Sequence, residues 1–355
     1  MVPASDSPHV LIVYKNFNSA VSHIGLGVAA LNNAKVLNEN GITADVTPAN
    51  SAADIETYLR RDDSITHVVI SAPWIPVVDL SRLILVYPRI TWAVNYHSNV
   101  AFLRADTRGI ELLREYVHLD IGSVNFNIAG NAPRFVTFIQ SVFSTPCAFL
   151  PNMYHLTHAS GGHSLRGGSR SEGILRIGSF GAPRIQKNML SSAAAALEIS
   201  QELHRDVEFW MNSGREDAGV IRTVRALLAS APGTALRLVH WASWPEIRQI
   251  VRRMDVLISS SYTETFSMVT GDGIAEGVPS VVSEAIYWAP EHWKVSTDNV
   301  PQIACAARGL LSDPRASHDG LMALERHNER GLAGWSRFLG APRIYRWKYL
   351  SPEAF

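Results

Sequence analysis

The chain has 355 residues, 46% of them hydrophobic and 18% charged, which excludes a disordered polymer and favours two folded domains. Its 32 basic residues balance its 32 acidic ones, so no global field recommends nucleic acid or an anionic membrane as partner. A polar Met1–Pro8 and the lack of any unbroken apolar run near the ~18 residues of a bilayer-crossing helix lead to the expectation of a cytoplasmic chain without a transmembrane segment.

Short apolar strands alternate with longer helical patterns, the signature of parallel sheets covered by helices. The first half reads as strand His9–Tyr14, helix Gly27–Asn40 ended by Gly41, a strand near Ala44–Thr47, helix Ala52–Arg61 and strand Thr66–Ser71. The longest apolar stretch, Leu83–Val94, is broken by Pro88 and Arg89. Strand Ile90–Tyr96, a helix within Thr107–Val117, strand Phe126–Ala129, helix Ala132–Phe143 and strand Cys147–Leu150 complete the half. Cys147 and Cys305 lie far apart in apolar runs and read as free buried thiols.

Thr157–Gly173, rich in glycine and serine and without apolar periodicity, reads as a linker. Beyond it come strand Ile174–Ile177, helix Met189–Leu203, strand Val207–Met211, helix Val220–Ala229 and strand Leu236–His240. Helix Pro245–Arg253, strand Val256–Ser259, a helix in the Phe266–Glu276 region and strand Ser280–Ser283 follow. The expected architecture is α/β: two Rossmann-like, doubly wound domains, 1–156 and 174–334, facing across a cleft, with 335–355 as a C-terminal segment. That segment carries Trp335, Arg343, Arg346, Trp347 and Lys348, and reads either as a helix returning to the first domain or as a basic-aromatic surface for an acceptor.

The most informative stretch is Ser259-Ser-Ser-Tyr-Thr-Glu264-Thr-Phe-Ser-Met-Val-Thr-Gly-Asp272-Gly-Ile-Ala-Glu-Gly277-Val-Pro279-Ser-Val-Val. A strand ends in small polar residues, one carboxylate follows, and a second stands eight residues later on a new helix. Thr265, Phe266 and Ser267 are expected in the first turn of that helix, where free amides and the positive dipole end suit a phosphate. Glu264 then stands beside the anion, within reach of a sugar hydroxyl, and Asp272 is placed to accept the hydroxyls of a ribose. The same acids also suit a solvated, capped helix start.

This segment resembles the signature of the retaining glycosyltransferases of family 4, in which two Glu flank seven residues and a Gly-x-Pro-x-Val strand follows. Glu264 matches the first Glu, Asp272 takes the place of the second, and Gly277-Val-Pro279-Ser-Val matches the strand. The resemblance implies a GT-B fold, a nucleotide-sugar donor held by the second domain, the first acid beside the donor sugar and the second on the nucleotide ribose. Arg176-Ile-Gly178-Ser-Phe-Gly181-Ala-Pro-Arg184-Ile-Gln-Lys187 is similar to the family's Gly-Arg…Lys-Gly segment. By that likeness Arg184 and Lys187 hold the donor diphosphate, with Gly178 in the turn. Asn95-Tyr-His97 resembles the strand-terminal His near the sugar, and Leu150-Pro151-Asn152 the turn before the linker. His23-Ile-Gly25-Leu-Gly27-Val-Ala-Ala30 reads as a glycine-rich loop that places Gly25 and Gly27 by the donor. It also fits the dinucleotide fingerprint, but stands too far from the first strand for the tight turn that fingerprint demands.

Asp-x-Asp, the metal motif of the other main glycosyltransferase fold, does not occur in the chain, so a metal-independent enzyme with no cofactor beyond its nucleotide-sugar co-substrate is expected. His155, His158 and His163 lack an acid or Cys in ligand register. The function that follows is transfer of a sugar, by default from a UDP-sugar, to an acceptor hydroxyl with retention. The acceptor stays open among a small molecule, a glycan, a lipid-linked sugar and a modified DNA base. An epimerase of the same fold and a non-catalytic nucleotide-sugar-binding protein are the alternatives.

Overall fold

The computed structural model describes residues 7–15, 24–104, 106–156, 173–214, 218–229 and 231–341. The described residues divide into two compact units, one taking those up to His155 and again those from His327, the other Leu156–Arg326. His23, residues 157–172 of the expected linker, with His158 and His163, and the segment carrying Arg343, Arg346, Trp347 and Lys348 lie outside the described residues.

In the first unit the chain runs β1 (His9–Lys15), α1 (Ile24–Glu39), β2 (Thr43–Ala49), α2 (Ala52–Leu59), β3 (His67–Ser71), α3 (Val77–Val86), β4 (Thr91–Tyr96), α4 (Val100–Leu103), α5 (Thr107–Gly122), β5 (Phe126–Gly130), α6 (Pro133–Phe143) and β6 (Ala148–Phe149). The six strands form one parallel sheet in the order β2-β1-β3-β4-β5-β6. The strands are buried on both faces, and their period of two sorts them into two cores. Leu11, Val13, Val68, Ile70, Trp92, Val94 and Tyr96 face one way. Val10, Ile12, Val69 and Ala93 face the other, with Leu37 beside them. Each such valine, leucine or isoleucine contributes roughly 1.5–3 kcal/mol by leaving water. Pro48, which has no N–H to give, sits on β2 at the sheet edge.

The second unit runs β7 (Leu175–Ser179), a 3-10 turn (Ile185–Lys187), α7 (Met189–Leu203), β8 (Val207–Asn212), α8 (Val220–Ala229), β9 (Thr234–Val239), α9 (Trp244–Val251), β10 (Val256–Ser259), α10 (Met268–Ala275), β11 (Ser280–Ser283), β12 (Lys294–Val295), α11 (Val300–Ser312) and α12 (Ala316–Leu339). Its sheet is again parallel, in the order β12-β11-β10-β7-β8-β9. The residues of α12 from His327 onward belong to the first unit, where Leu332, Trp335 and Leu339 join the second of its two cores.

In the segment that follows β6, Leu150 N–H still donates to Gly130 O of β5 at 3.0 Å, and the backbone groups beyond it need other partners. Side chains supply them. Leu150 O accepts from Asn95 Nδ2 at 2.9 Å, Pro151 O from Trp335 Nε1 at 3.0 Å, and Asn152 O from His327 Nε2 at 2.7 Å. The N–H groups of Met153 and His155 donate to Asn33 and Asn32 of α1 at 2.6 and 2.8 Å.

Several expectations are corrected. Gly25 and Gly27 lie inside α1 rather than in a loop; a Cβ on Gly27 would meet the Tyr14 ring of β1 at 3.0 Å, so this glycine lets helix and strand pack closely. Cys305 is exposed and Cys147 half-buried, because α11 turns Ile303, Ala304, Ala307 and Leu310 inward and leaves position 305 outside. As expected, Leu83–Val94 is broken at Pro88 and Arg89: it is the end of α3, a turn and most of β4. Among the described residues no helix is long and apolar enough to cross a membrane.

Candidate functional site

In a doubly wound sheet the crevice for a ligand opens beyond the carboxyl ends of the strands, where successive crossovers leave in opposite directions. In the second unit that point lies between β7 and β10, since β8 flanks β7 on one side and β10 on the other. The loops 180–188 and 260–267, which follow these two strands, meet there.

Gly181 turns the first loop with φ +117, a conformation that L side chains rarely adopt. Its N–H donates to Asn212 Oδ1 at the end of β8, 2.8 Å away. The 3-10 turn then delivers Lys187, and Asn188, itself left-handed at φ 50, bonds through Nδ2 to the carbonyls of Ser260 (3.2 Å) and Thr297 (2.7 Å). Tyr262 N–H donates to Gln186 O at 2.9 Å. Its phenol, pushed up to about 12 by its 2.6 Å bond to Asp298, donates to that carboxylate. The two loops are thus laced together by backbone and asparagine bonds.

Across this lacing Lys187 Nζ pairs with Glu264 Oε1. The same carboxylate oxygen accepts from Ser261 Oγ at 3.1 Å, and the carbonyl of Ser261 is held by Ser283 Oγ of β11 at 2.6 Å. With side chains 28% and 12% exposed, the pair is half-sheltered yet open to exchange with a ligand. An ammonium and a carboxylate in contact can trade each other for an anion and a hydroxyl group respectively. Arg184 is half-buried at the start of the 3-10 turn and pairs with no carboxylate among the described residues.

Four positions differ from the sequence reading. Thr265, Phe266 and Ser267 precede α10 instead of forming its first turn: Ser267 is the N-cap, at φ 66, and its Oγ accepts from Thr270 N–H. Phe266 is buried against Trp288, ring to ring at 5.1 Å, and its carbonyl accepts from the Trp288 indole at 2.8 Å. Gly178 belongs to β7, where a Cβ would meet Phe180 at 2.5 Å and Leu257 at 2.8 Å; it is a packing glycine, and Gly181 makes the turn.

Asp272, on the second turn of α10, is 3% exposed, and its Oδ1 accepts from the Trp244 indole N–H at 2.8 Å. Trp244 opens α9 at the carboxyl edge of the sheet. Sequence reasoning passed over Gly181, Asn188, Ser261 and Trp244. A glycine two residues past a strand end was a visible signal for the first; nothing local marks the others.

His97 belongs to the first unit, one residue beyond β4. Its Nδ1 lies 3.3 Å from Asn131 Nδ2, and burial pushes its pKa down to about 4, so the ring is neutral at pH 7. The structure thus gathers Lys187, Glu264 and Arg184 on the two loops of the second unit, with Asp272 on α10. His97, Gly25 and Gly27 lie in the first. Groups with metal-ligand geometry among the described residues are His9/Asp45/Asp62 and His292/Asp313/Asp319. In the former, both ring nitrogens of His9 are already engaged, Nε2 with Asp45 at 2.9 Å and Nδ1 with Ser64 at 2.8 Å. His155 bonds Glu39 at 2.6 Å.

No protein-family model matches the chain, and no curated protein is recognisably similar to it in sequence. Solved structures are similar in fold. An S. aureus TarM mutant in complex with Fondaparinux, alpha-GlcNAc-glycerol and UDP is 11% identical, with a TM-score of 0.58 over 82% of this chain; the chain spans only 58% of that protein's length. A UDP-forming trehalose-phosphate synthase from Burkholderia xenovorans is 15% identical, with a TM-score of 0.61 over 93% of this chain and 98% of its own. Sucrose-phosphate synthase from Thermosynechococcus elongatus is 12% identical, with a TM-score of 0.60 over 93% and 96%. The two parallel six-stranded sheets with their helices are the GT-B fold of these glycosyltransferases.

Proposed function

We propose that the chain is a retaining, metal-independent glycosyltransferase that takes its sugar from a UDP-sugar. The observation that carries this reading is the Lys187–Glu264 pair between the two laced loops at the switch point of the second sheet, in a fold shared with a UDP-forming synthase and with a protein crystallised with UDP. Retention rests on the likeness of the Glu264–Asp272 segment to family 4, and metal independence on the lack of an Asp-x-Asp motif in the sequence.

In this reading the donor diphosphate displaces Glu264 from Lys187, and Arg184 adds a second cation. Thr265, Phe266 and Ser267 contribute backbone amides beside the free N–H groups that open α10. These fixed charges and dipoles stabilise the negative charge that builds on the leaving diphosphate as the bond to the anomeric carbon breaks. Glu264, released from Lys187, accepts a hydroxyl of the donor sugar. The acceptor hydroxyl attacks from the face that the diphosphate leaves, and its proton passes to the departing phosphate oxygen. Asp272 receives the ribose.

A thermal-shift screen of nucleotide sugars tests the assignment, because a ligand that binds only the folded state raises the melting temperature by mass action. UDP-sugars should raise it in the wild type and fail to do so in Lys187→Ala. Incubating a stabilising donor alone then separates transfer from epimerisation: an epimerase converts it into an isomeric nucleotide sugar without any acceptor. A wild type unmoved by every nucleotide sugar would defeat the reading.

A further inference from the structure

Two helices of the second unit are joined by a pair of rungs. Trp244 and Arg248 stand one turn apart on α9, and Asp272 and Glu276 one turn apart along α10 and its C-cap. The Trp244 indole N–H meets Asp272 Oδ1 at 2.8 Å, and Arg248 meets Glu276 Oε1 at 2.5 Å. The Arg248 guanidinium also lies over the Trp244 ring, 5.7 Å from its centroid. The Arg248–Glu276 rung is the deeper along α9. The Trp244–Asp272 rung lies at the first residue of that helix, at the carboxyl edge of the sheet where ligands enter.

A carboxylate buried to 3% exposure needs a donor, and the indole supplies one. A ribose hydroxyl would supply the same kind of bond. We propose that Trp244 is a gate on the nucleotide site: its indole N–H stands in for a ribose hydroxyl on Asp272 and yields when a ribonucleotide binds. This rests on the reading that Asp272 receives the donor ribose. The gate makes two demands on the ligand. It must carry a ribose with free hydroxyls, because only these replace the lost bond. It must also bind tightly enough elsewhere, through its diphosphate at Lys187, to work against the indole. Arg248, held by Glu276, keeps α9 in place while its first residue swings.

The test compares UDP with 2′,3′-dideoxy-UDP by titration calorimetry on the wild type and Trp244→Phe, which keeps an aromatic ring and removes the N–H. The expected result is that UDP binds the variant on the order of tenfold more tightly than the wild type, the competing bond being gone, whereas the dideoxy nucleotide binds both alike. Equal or weaker UDP binding by a folded Trp244→Phe, with wild-type binding intact, overturns the gate and leaves the proposed function standing. A wild type that binds no uridine nucleotide at all overturns both. Should the variant not fold, indole N–H resonances of the wild type give the answer. One of them moves with UDP and stays still with the dideoxy analogue if the gate exists; movement with both, or with neither, refutes it.

Discussion

Asn328 grips Tyr154 by both of its backbone groups: its Nδ2 donates to Tyr154 O at 2.8 Å and its Oδ1 accepts from Tyr154 N at 2.9 Å. Both residues are buried, so water cannot take over either bond. Asn328→Ala should lower the stability of the folded chain by roughly 2–6 kcal/mol, two buried backbone groups losing these partners at about 1–3 kcal/mol each. Urea unfolding checks this through a fall in midpoint at unchanged slope. Asn328→Asp keeps the acceptor but loses the donor and buries a charge, so it should be no milder than the alanine variant.

Its neighbour His327 gives the same segment a pH dependence. Burial holds the folded-state pKa at about 4 against an ordinary value of 6.5. Between these values the unfolded chain binds a proton that the folded chain refuses, so the contribution is fully present above pH 6.5 and is lost as pH falls toward 4. By linkage the loss reaches about 3 kcal/mol. Asp120, raised to about 6 by burial, pulls the other way over part of the same range. The readout is therefore the difference between wild type and His327→Gln, whose stability should fall less steeply from pH 7 to 4.

Two helical glycines should respond in opposite directions to alanine. A Cβ on Gly334 would run into the carbonyl oxygen of Phe149, whereas one on Gly309 would find nothing within 4 Å. Gly309→Ala, on the exposed face of α11, should stabilise by about 0.5–1 kcal/mol. Gly334→Ala should destabilise by roughly 1–3 kcal/mol, as overpacking does. Thermal melts of the two variants side by side decide it.

Gly181→Ala probes the site without removing a charge. The substitution forces a strained φ of +117 on alanine and brings its Cβ to 3.3 Å from Lys187 Cε. The fold should lose about 1–2 kcal/mol, while donor affinity falls further than that loss accounts for, because Lys187 is pushed from its place. Calorimetry with a UDP-sugar at a temperature where the variant is fully folded separates the two effects.

The strand cores of the first sheet were legible because apolar runs buried on both faces need no partner information: Val10–Val13, Val68–Ile70 and Trp92–Val94 announce themselves. Helix α3 was not, since Leu83–Val86 and the strand beyond Pro88 merge into one apolar stretch whose break is a single turn. Helices α11 and the first part of α12 also escaped, as did β12 with its two residues. Within the candidate site the spacing from Glu264 to Asp272 could be read along the chain. The Trp244–Asp272 bond joins residues 28 positions apart, and Asn188 meets Ser260 over 72. Only the register of the folded sheet creates such pairs. Glycine misled in both units: Gly27 and Gly178 serve close packing, and a glycine's sequence neighbours do not say whether its missing Cβ faces a ligand or a side chain.

In the proposed mechanism Lys187 and Glu264 hold each other until a sugar diphosphate parts them. Titration calorimetry of a UDP-sugar against wild type, Lys187→Met and Glu264→Gln tests it most directly. Lys187→Met should lose donor binding on the order of a hundredfold, the diphosphate having lost its charge-assisted partner. Glu264→Gln, which frees Lys187, should bind UDP itself at least as tightly as wild type yet turn over no sugar. Unchanged donor affinity in Lys187→Met, or full turnover in Glu264→Gln, would contradict it.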